Sequence, residues 1–198
     1  MGRWVKLCMA LAITSLAVPA YAQIQGSEGE KFLKAVEEGD SATAIPLAEV
    51  PGAYVVNYKG YSGNTALHIA TRKRELEWVG FLLTKGADPN IGDTQGDTPL
   101  IIAARIGFDD AADYMLRMGA NPDATNRRGD TALIVAVQQN RQEIVKLLMK
   151  AGADPDKSDY SAGYSARDYA KRDTRNRNLL KLIETIRSDK KTVARPGL

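Results

Sequence analysis

The sequence predicts an all-α fold, a solenoid of short helix–turn–helix units joined by β-hairpin-like turns. Three observations lead there. Residues of the same kind recur every 33 positions through the middle of the chain. Glycine, proline and threonine punctuate each copy where helices must end and begin. Beyond an apolar leader the chain has one histidine and no cysteine, so packing alone must hold the fold together.

The period sets the architecture before any single element is considered. Gly63, Gly96 and Gly129 are spaced by 33, as are Gly86, Gly119 and Gly152. Thr65, Thr98 and Thr131 keep the same interval, with Leu67, Leu100 and Leu133, and Ala70, Ala103 and Ala136. A further copy with Gly163, Ser165 and Ala170 follows at 34, implying one extra residue between Lys157 and Ala162.

Each recurring residue has a mechanical duty. Gly86, Gly119 and Gly152 close apolar-periodic stretches, where a left-handed residue ends a helix. Pro89, Pro122 and Pro155 follow and stop the helix from resuming. Gly63, Gly96 and Gly129 sit in polar turns that need a positive φ. Thr65, Thr98 and Thr131 stand where a hydroxyl caps the next helix, and Pro99 takes a first helical position.

These signals predict helices over Pro99–Ile106 and Asp109–Met118, and over Ala132–Gln139 and Gln142–Ala151 in the following unit. Helices shorter than about 12 residues are marginal alone. They persist by burying Leu100, Ala103, Tyr114 and Leu116 against neighbouring units, with the small alanines permitting close approach. The stripe of Trp78, Val79, Phe81, Leu82 and Leu83 is read as core.

The stretches "GNTALHIA", "GDTPLIIAA" and "GDTALIVAV", each followed by "GADPN", "GANPD" or "GADPD", resemble ankyrin repeats. The resemblance covers 58–158 and implies repeats at 58–92, 93–125 and 126–158. Before them, 23–57 reads as a linker and degenerate N-terminal capping repeat. After them, 159–188 reads as a degenerate C-terminal cap in which Arg167 replaces the interior leucine on a face expected to meet water. Residues 189–198 are expected to be a basic disordered tail, and 1–22 a leader.

That leader has Arg3 and Lys6, then the apolar run Leu7–Val18, then Ala20-Tyr21-Ala22 before Gln23, the order of a secretory signal peptide. The rival reading, a membrane anchor, needs a stretch of about 20 apolar residues. Cys8 lacks the small residues that precede a lipid-modified cysteine. The short basic region and the "AYAQ" junction look bacterial, and the expected location is the periplasm in preference to release. The formal charge of +3 divides unevenly: +2 in the leader, −5 over 23–170 and +6 over 171–198. A basic end of this kind is either a solvated tail or a contact for an anionic partner.

Chemistry has little to stand on. A zinc site needs three or four His, Cys or carboxylate ligands, and beyond the leader only His68 represents the first two types. The resemblance gives His68 a structural post, bonding neighbouring turn backbone. Asp88, Asp97, Asp123, Asp130, Asp154 and Asp156 lie at turns, where aspartate bonds its own backbone. "ADPDKSD" lacks the glycine and closing glutamate of a calcium loop. No cofactor and no catalytic or metal residues are expected.

The resemblance implies protein binding along a concave face of turn tips and first helices. Carried across, its positions are Tyr61, Ser62, Asn64, Arg72 and Lys73, then Thr94, Gln95, Asp97, Arg105 and Ile106. The next units give Arg127, Arg128, Asp130, Gln138 and Gln139, then Ser161, Ala162, Tyr164, Arg172 and Asp173. Tyrosine and arginine often carry interface energy, and the surplus of arginine suggests an acidic or mixed-charge protein partner. Equally, these arginines serve solubility. A monomer is expected, with no specific nucleic acid and no transmembrane segment once the leader is removed. Two other classes stay open: a binder of anionic polymer or membrane surface through 171–198, and an enzyme with a carboxylate site.

Overall fold

A computed structural model describes residues 20–50, 54–174 and 177–193, with side chains between 28 and 186. Among the described residues there are ten α-helices and no strand. They are α1 (Ala20–Glu38), α2 (Ser41–Glu49), α3 (Ala66–Lys73), α4 (Leu76–Thr84) and α5 (Pro99–Ile106). Then come α6 (Asp109–Arg117), α7 (Ala132–Gln138), α8 (Gln142–Ala151), α9 (Ala166–Arg172) and α10 (Arg177–Val193). The leader, 1–22, lies outside the described residues except for its last three, which begin α1; 194–198 lie outside as well.

The helices form pairs, α3 with α4, α5 with α6, α7 with α8 and α9 with α10. First helices pack on first helices in the order α1, α3, α5, α7, α9, and second helices follow the order α4, α6, α8, α10. This is the layering expected of stacked repeats, in which each unit touches only its neighbours. The 33-residue period is therefore a packing period. Leu67, Leu100 and Leu133 are all but completely buried, and Ala70, Ala103 and Ala136 are fully buried between helices.

Helix ends obey the punctuation. α5 spans the expected residues, with the Thr98 hydroxyl accepting from the Ile101 N–H at 3.3 Å. Thr131 does the same for Ile134, and Ser165 for Asp168. α6 and α7 each stop one residue short of the expected end.

Burial in α6 departs from expectation. Met115, with Ala111 and Ala112, is the fully buried residue, while Tyr114 and Leu116 are only half-buried. Residues at i, i+1 and i+4 face the first helices, and the two beside them flank that stripe. Likewise in α4, Val79, Leu82 and Leu83 are core. Trp78 and Phe81 pack edge to face beside them at 5.6 Å and stay half-buried.

The ends are built differently. At the N-terminal end α1 and α2 form a helix pair, burying Phe32, Val36 and Ala44. Gly29 leaves room for the Tyr58 ring, 2.3 Å from where a Cβ would stand, and the Tyr58 hydroxyl donates to Glu30 at 3.0 Å. At the other end Arg167 does not face water. Its side chain is 16% exposed, Nε donating to Asp156 at 2.6 Å, with Nη1 3.8 Å from Glu184 on α10. A buried guanidinium needs partners, and Arg167 finds two carboxylates by bridging a turn to the last helix, while its Nη2 has no hydrogen bond among the described residues. α10 runs on through Val193, past residue 188 where the last unit was expected to end.

A set of staples went unread in the sequence. Asn57 donates to the Gly86 carbonyl at 3.0 Å and accepts from the Asp88 N–H at 2.8 Å. Asn90 repeats this with Gly119 and Asn121, and Asp123 accepts from the Asp154 N–H. Each unit thus satisfies the chain that leaves the second helix of the next.

Candidate protein-binding face

The turns before each first helix build the face. In one, the Asp93 N–H donates to the Asp97 carbonyl at 3.0 Å and Gly96 returns a bond to the Asp93 carbonyl at 2.9 Å. The Asp93 carboxylate accepts from the Gln95 and Asp97 N–H groups at 2.8 and 3.0 Å. Asn126 and Asp159 hold the following turns similarly. Successive tips are tied together through backbone: Thr94 donates to the Ser62 carbonyl at 3.4 Å, Arg127 to Gln95 at 2.9 Å and Tyr160 to Arg128 at 2.8 Å. The tips form a continuous row.

Close approach explains the tip glycines better than φ alone. A Cβ on Gly129 would stand 2.7 Å from the Tyr160 backbone nitrogen, and one on Gly63 equally close to that of Thr94.

Beneath the row lies a line of charge pairs. Arg72 meets Asp93 at 2.8 Å, Arg105 meets Asp97 at 2.7 Å and Arg128 meets Asp130 at 2.8 Å. The carboxylates are 7–10% exposed and the guanidinium side chains 37–67%, so acids are buried below cations. Asn126 bridges Asp97 and Asp130, donating at 2.9 and 3.2 Å. Burial pushes the Asp97 carboxyl up, but bonds from Arg105 and Asn126 and nearby positive charge outweigh it and leave the group below the usual carboxylate range.

His68 links the first repeat into this line. Nδ1 accepts from the Thr65 N–H at 3.1 Å, and Nε2 donates to the Asp97 carbonyl at 3.0 Å. Burial pushes its pKa down to about 4, so the ring is neutral at pH 7. Its structural role is as expected from the resemblance.

The structure sorts the sequence candidates into groups. Tyr61 is fully exposed, and Ser62, Thr94, Gln95, Arg127, Arg128, Gln138, Gln139, Ser161 and Ala162 are exposed too. Arg72 also binds Asn64, and Lys73 reaches the Glu37 carbonyl and Glu75. Arg172 sits 4.6 Å over the ring of half-buried Tyr164 and donates to its hydroxyl at 2.9 Å. Asp173 is half-buried. Asp97 and Asp130 are corrections: at 7% and 5% exposed they support arginines and present little to a partner. Ile106 is a third, packed against the core with its carbonyl accepting from Arg74 at 2.9 Å.

Tyr160 was missed. It is 73% exposed at the last tip, and its ring lies over Gly129. The extra residue in that copy shifted the register by one, so the matching of positions passed over it. Among the described residues no three His, Cys, Asp or Glu side chains gather as a metal site, and no helix is long and apolar enough to cross a membrane.

Residues 79–159 match the model for ankyrin repeats in three copies, and residues 62–94 match the single ankyrin repeat. The chain is similar to a probable E3 ubiquitin-protein ligase, XBOS33, of Oryza sativa subsp. japonica, at 38% identity over 66 residues. That match takes in 33% of this chain and 12% of the ligase, so it bears on repeats and not on ligase activity. Residues 62–159 are ankyrin repeats, and the chain they build is an all-α repeat solenoid.

Proposed function

We propose that the protein is a non-catalytic binding module that holds another protein along its tip row and the exposed ends of α3, α5, α7 and α9. Ankyrin repeats suggest protein–protein interaction, and this chain supplies a surface suited to it. The observation that carries the reading is the backbone-tied row, which presents Tyr61 at one end, Arg127 between and Tyr160 at the other. A row already fixed by its neighbours loses little freedom on binding, and that preorganisation favours affinity.

The partner is of mixed charge. Arg72, Arg105 and Arg128 stand over buried carboxylates, so their net field is small while their outward N–H groups remain donors. Backbone carbonyls of an extended loop suit such donors as well as acids do. We further place the protein outside the cytoplasm, in a bacterial periplasm, on the basic, apolar and small-residue order of 1–22; a mature chain beginning at Gln23 is the expected mass-spectrometric result.

Photo-crosslinking tests the site. A crosslinkable residue at Tyr61, Gln95, Arg127 or Tyr160 is expected to trap one and the same protein from the native host. Residues such as Glu143 and Lys150 on α8 are expected to trap none of it. Equal trapping from both sets, or none from the tips, overturns the reading.

A further inference from the structure

The opposite surface carries a second feature that the binding row does not use. The second helices α4, α6 and α8 begin at equivalent positions, so their outward residues compare directly. One such position reads Leu76, Asp109, Gln142, and the next turn reads Gly80, Asp113, Lys146. Two helices place polar side chains there, as a solvated face requires. α4 places a 41% exposed leucine and a glycine. A glycine inside a helix is unfavourable relative to alanine, and nothing in its backbone demands one, since it is absent from the residues with positive φ.

Gly80 opens a cleft instead. Between α4 and α6 lies a space of about 370 Å³ lined by Leu76, Gly80, Tyr114, Asp110, Asp113 and Arg117. It is an open groove on the surface and not an enclosed cavity. Leu76 and Tyr114 give the cleft one apolar side, with the Tyr114 ring 3.4 Å from where a Gly80 Cβ would stand, and Asp110, Asp113 and Arg117 make the rest polar. The rim is acidic. Asp113 is held by Arg117, but Asp110 has no hydrogen bond or ion pair among the described residues. Glu77 and Asp109 add negative charge in the first turns of the same two helices.

First-turn carboxylates stabilise helix N-termini on their own account, so the acids alone specify nothing. The apolar side beside them does, because the 41% exposed Leu76, next to Gly80 and Tyr114, is left uncovered by the other described residues. We infer that this cleft docks a basic amphipathic segment of a partner protein, with a leucine- or methionine-sized side chain between Leu76 and Tyr114 and a lysine or arginine one helical turn away on Asp110. Charge complementarity selects the cation, and the slot selects the apolar neighbour.

Amide NMR titration of the protein with the peptide acetyl-Ala-Leu-Ala-Ala-Lys-Ala-amide tests it. The expected result is saturable shifts at Leu76, Gly80, Asp110 and Tyr114. Gly80→Gln puts a polar side chain where α6 and α8 already carry one, keeps the helix, and is expected to weaken the peptide at least tenfold with unfolding temperature unchanged or raised. Asp110→Asn is expected to weaken it about threefold and to flatten its salt dependence. Equal binding of a peptide with glutamine for lysine would make the slot a site for apolar groups only and overturn the basic segment. Shifts spread over all acidic residues, shifts at Tyr61 and Tyr160, no shifts at all, or indifference to Gly80→Gln would overturn the cleft.

Discussion

Each repeat touches the next along two edges, and the two differ. At the tip edge backbone meets backbone, and Gly129 has the Tyr160 nitrogen 2.7 Å from the place of its missing Cβ. At the helix-end edge Gly86 and Gly119 have φ of +87° and +90° and nothing within 4 Å of that place. Asparagine side chains bridge this second edge. The same residue type thus answers two demands, contact between units at one edge and a change of chain direction at the other. The tip edge is the one joined backbone to backbone, and it carries the residues proposed to bind.

The sharpest way to break the comparison is a methyl group on each edge. Gly129→Ala meets both the left-handed φ and the Tyr160 backbone and is expected to cost about 4 kcal/mol. Gly119→Ala meets φ alone, at about 1 kcal/mol. Thermal unfolding of the pair checks this, and equal losses would mean the tips are not in contact.

Acid probes the tip edge next. His68 has a folded pKa of about 4 against 6.5 for a free ring. The unfolded chain therefore binds the extra proton first, so stability is complete above pH 6.5 and falls as pH drops toward 4. The full effect is on the order of 3 kcal/mol. His68→Ile, which gives this unit the residue type of Ile101 and Ile134, is expected to remove that part of the acid sensitivity. The Asp97 carbonyl keeps its bond from the Asp93 N–H in that variant. Denaturant titrations at pH 7 and pH 4.5 measure both chains.

Smaller effects follow. Asp97→Ala removes the ion pair of Arg105 and one of the two bonds donated by the Asn126 amide, and is expected to cost about 2 kcal/mol, where Asp113→Ala on the outer face of α6, an exposed i, i+4 pair, costs less than about 0.5 kcal/mol. Asn90→Ala removes two exposed staple bonds at the helix-end edge, for about 1 kcal/mol. Urea midpoints with unchanged slopes would establish these as losses of stability alone.

The repeat edges also mark where sequence reading succeeds. Punctuation within a unit is local chemistry, so the limits of α5 and the capping hydroxyls were legible from residue type and spacing, while the post of His68 came from the resemblance. Contacts between units were not. Asp97 read as a surface turn residue because the Asn126 side chain that helps to cover it comes from the next unit, and Asp130 because the same Asn126 and Arg128 fold back over it within the turn. Asn57, Asn90, Asp123 and Asp156 do share the 33-residue interval, a signal whose purpose only the stack reveals. Tyr160 escaped through one inserted residue, and Arg167 was set facing water because its pairing with Asp156, eleven residues back in the turn, leaves no mark in residue type or spacing.

The claim that function lies on the tip row rests on side chains the stack does not need, and one binding measurement tests it most directly. The affinity of the crosslinked partner is compared for the native chain, for Tyr61→Ser/Arg127→Ser/Tyr160→Ser, and for Lys171→Gln/Arg177→Gln/Lys181→Gln at the basic end. The account predicts at least a hundredfold loss, equivalent to about 2.7 kcal/mol, for the tip variant alone, with its unfolding temperature unchanged. Full affinity in the tip variant, with loss in the basic-end variant, would contradict it.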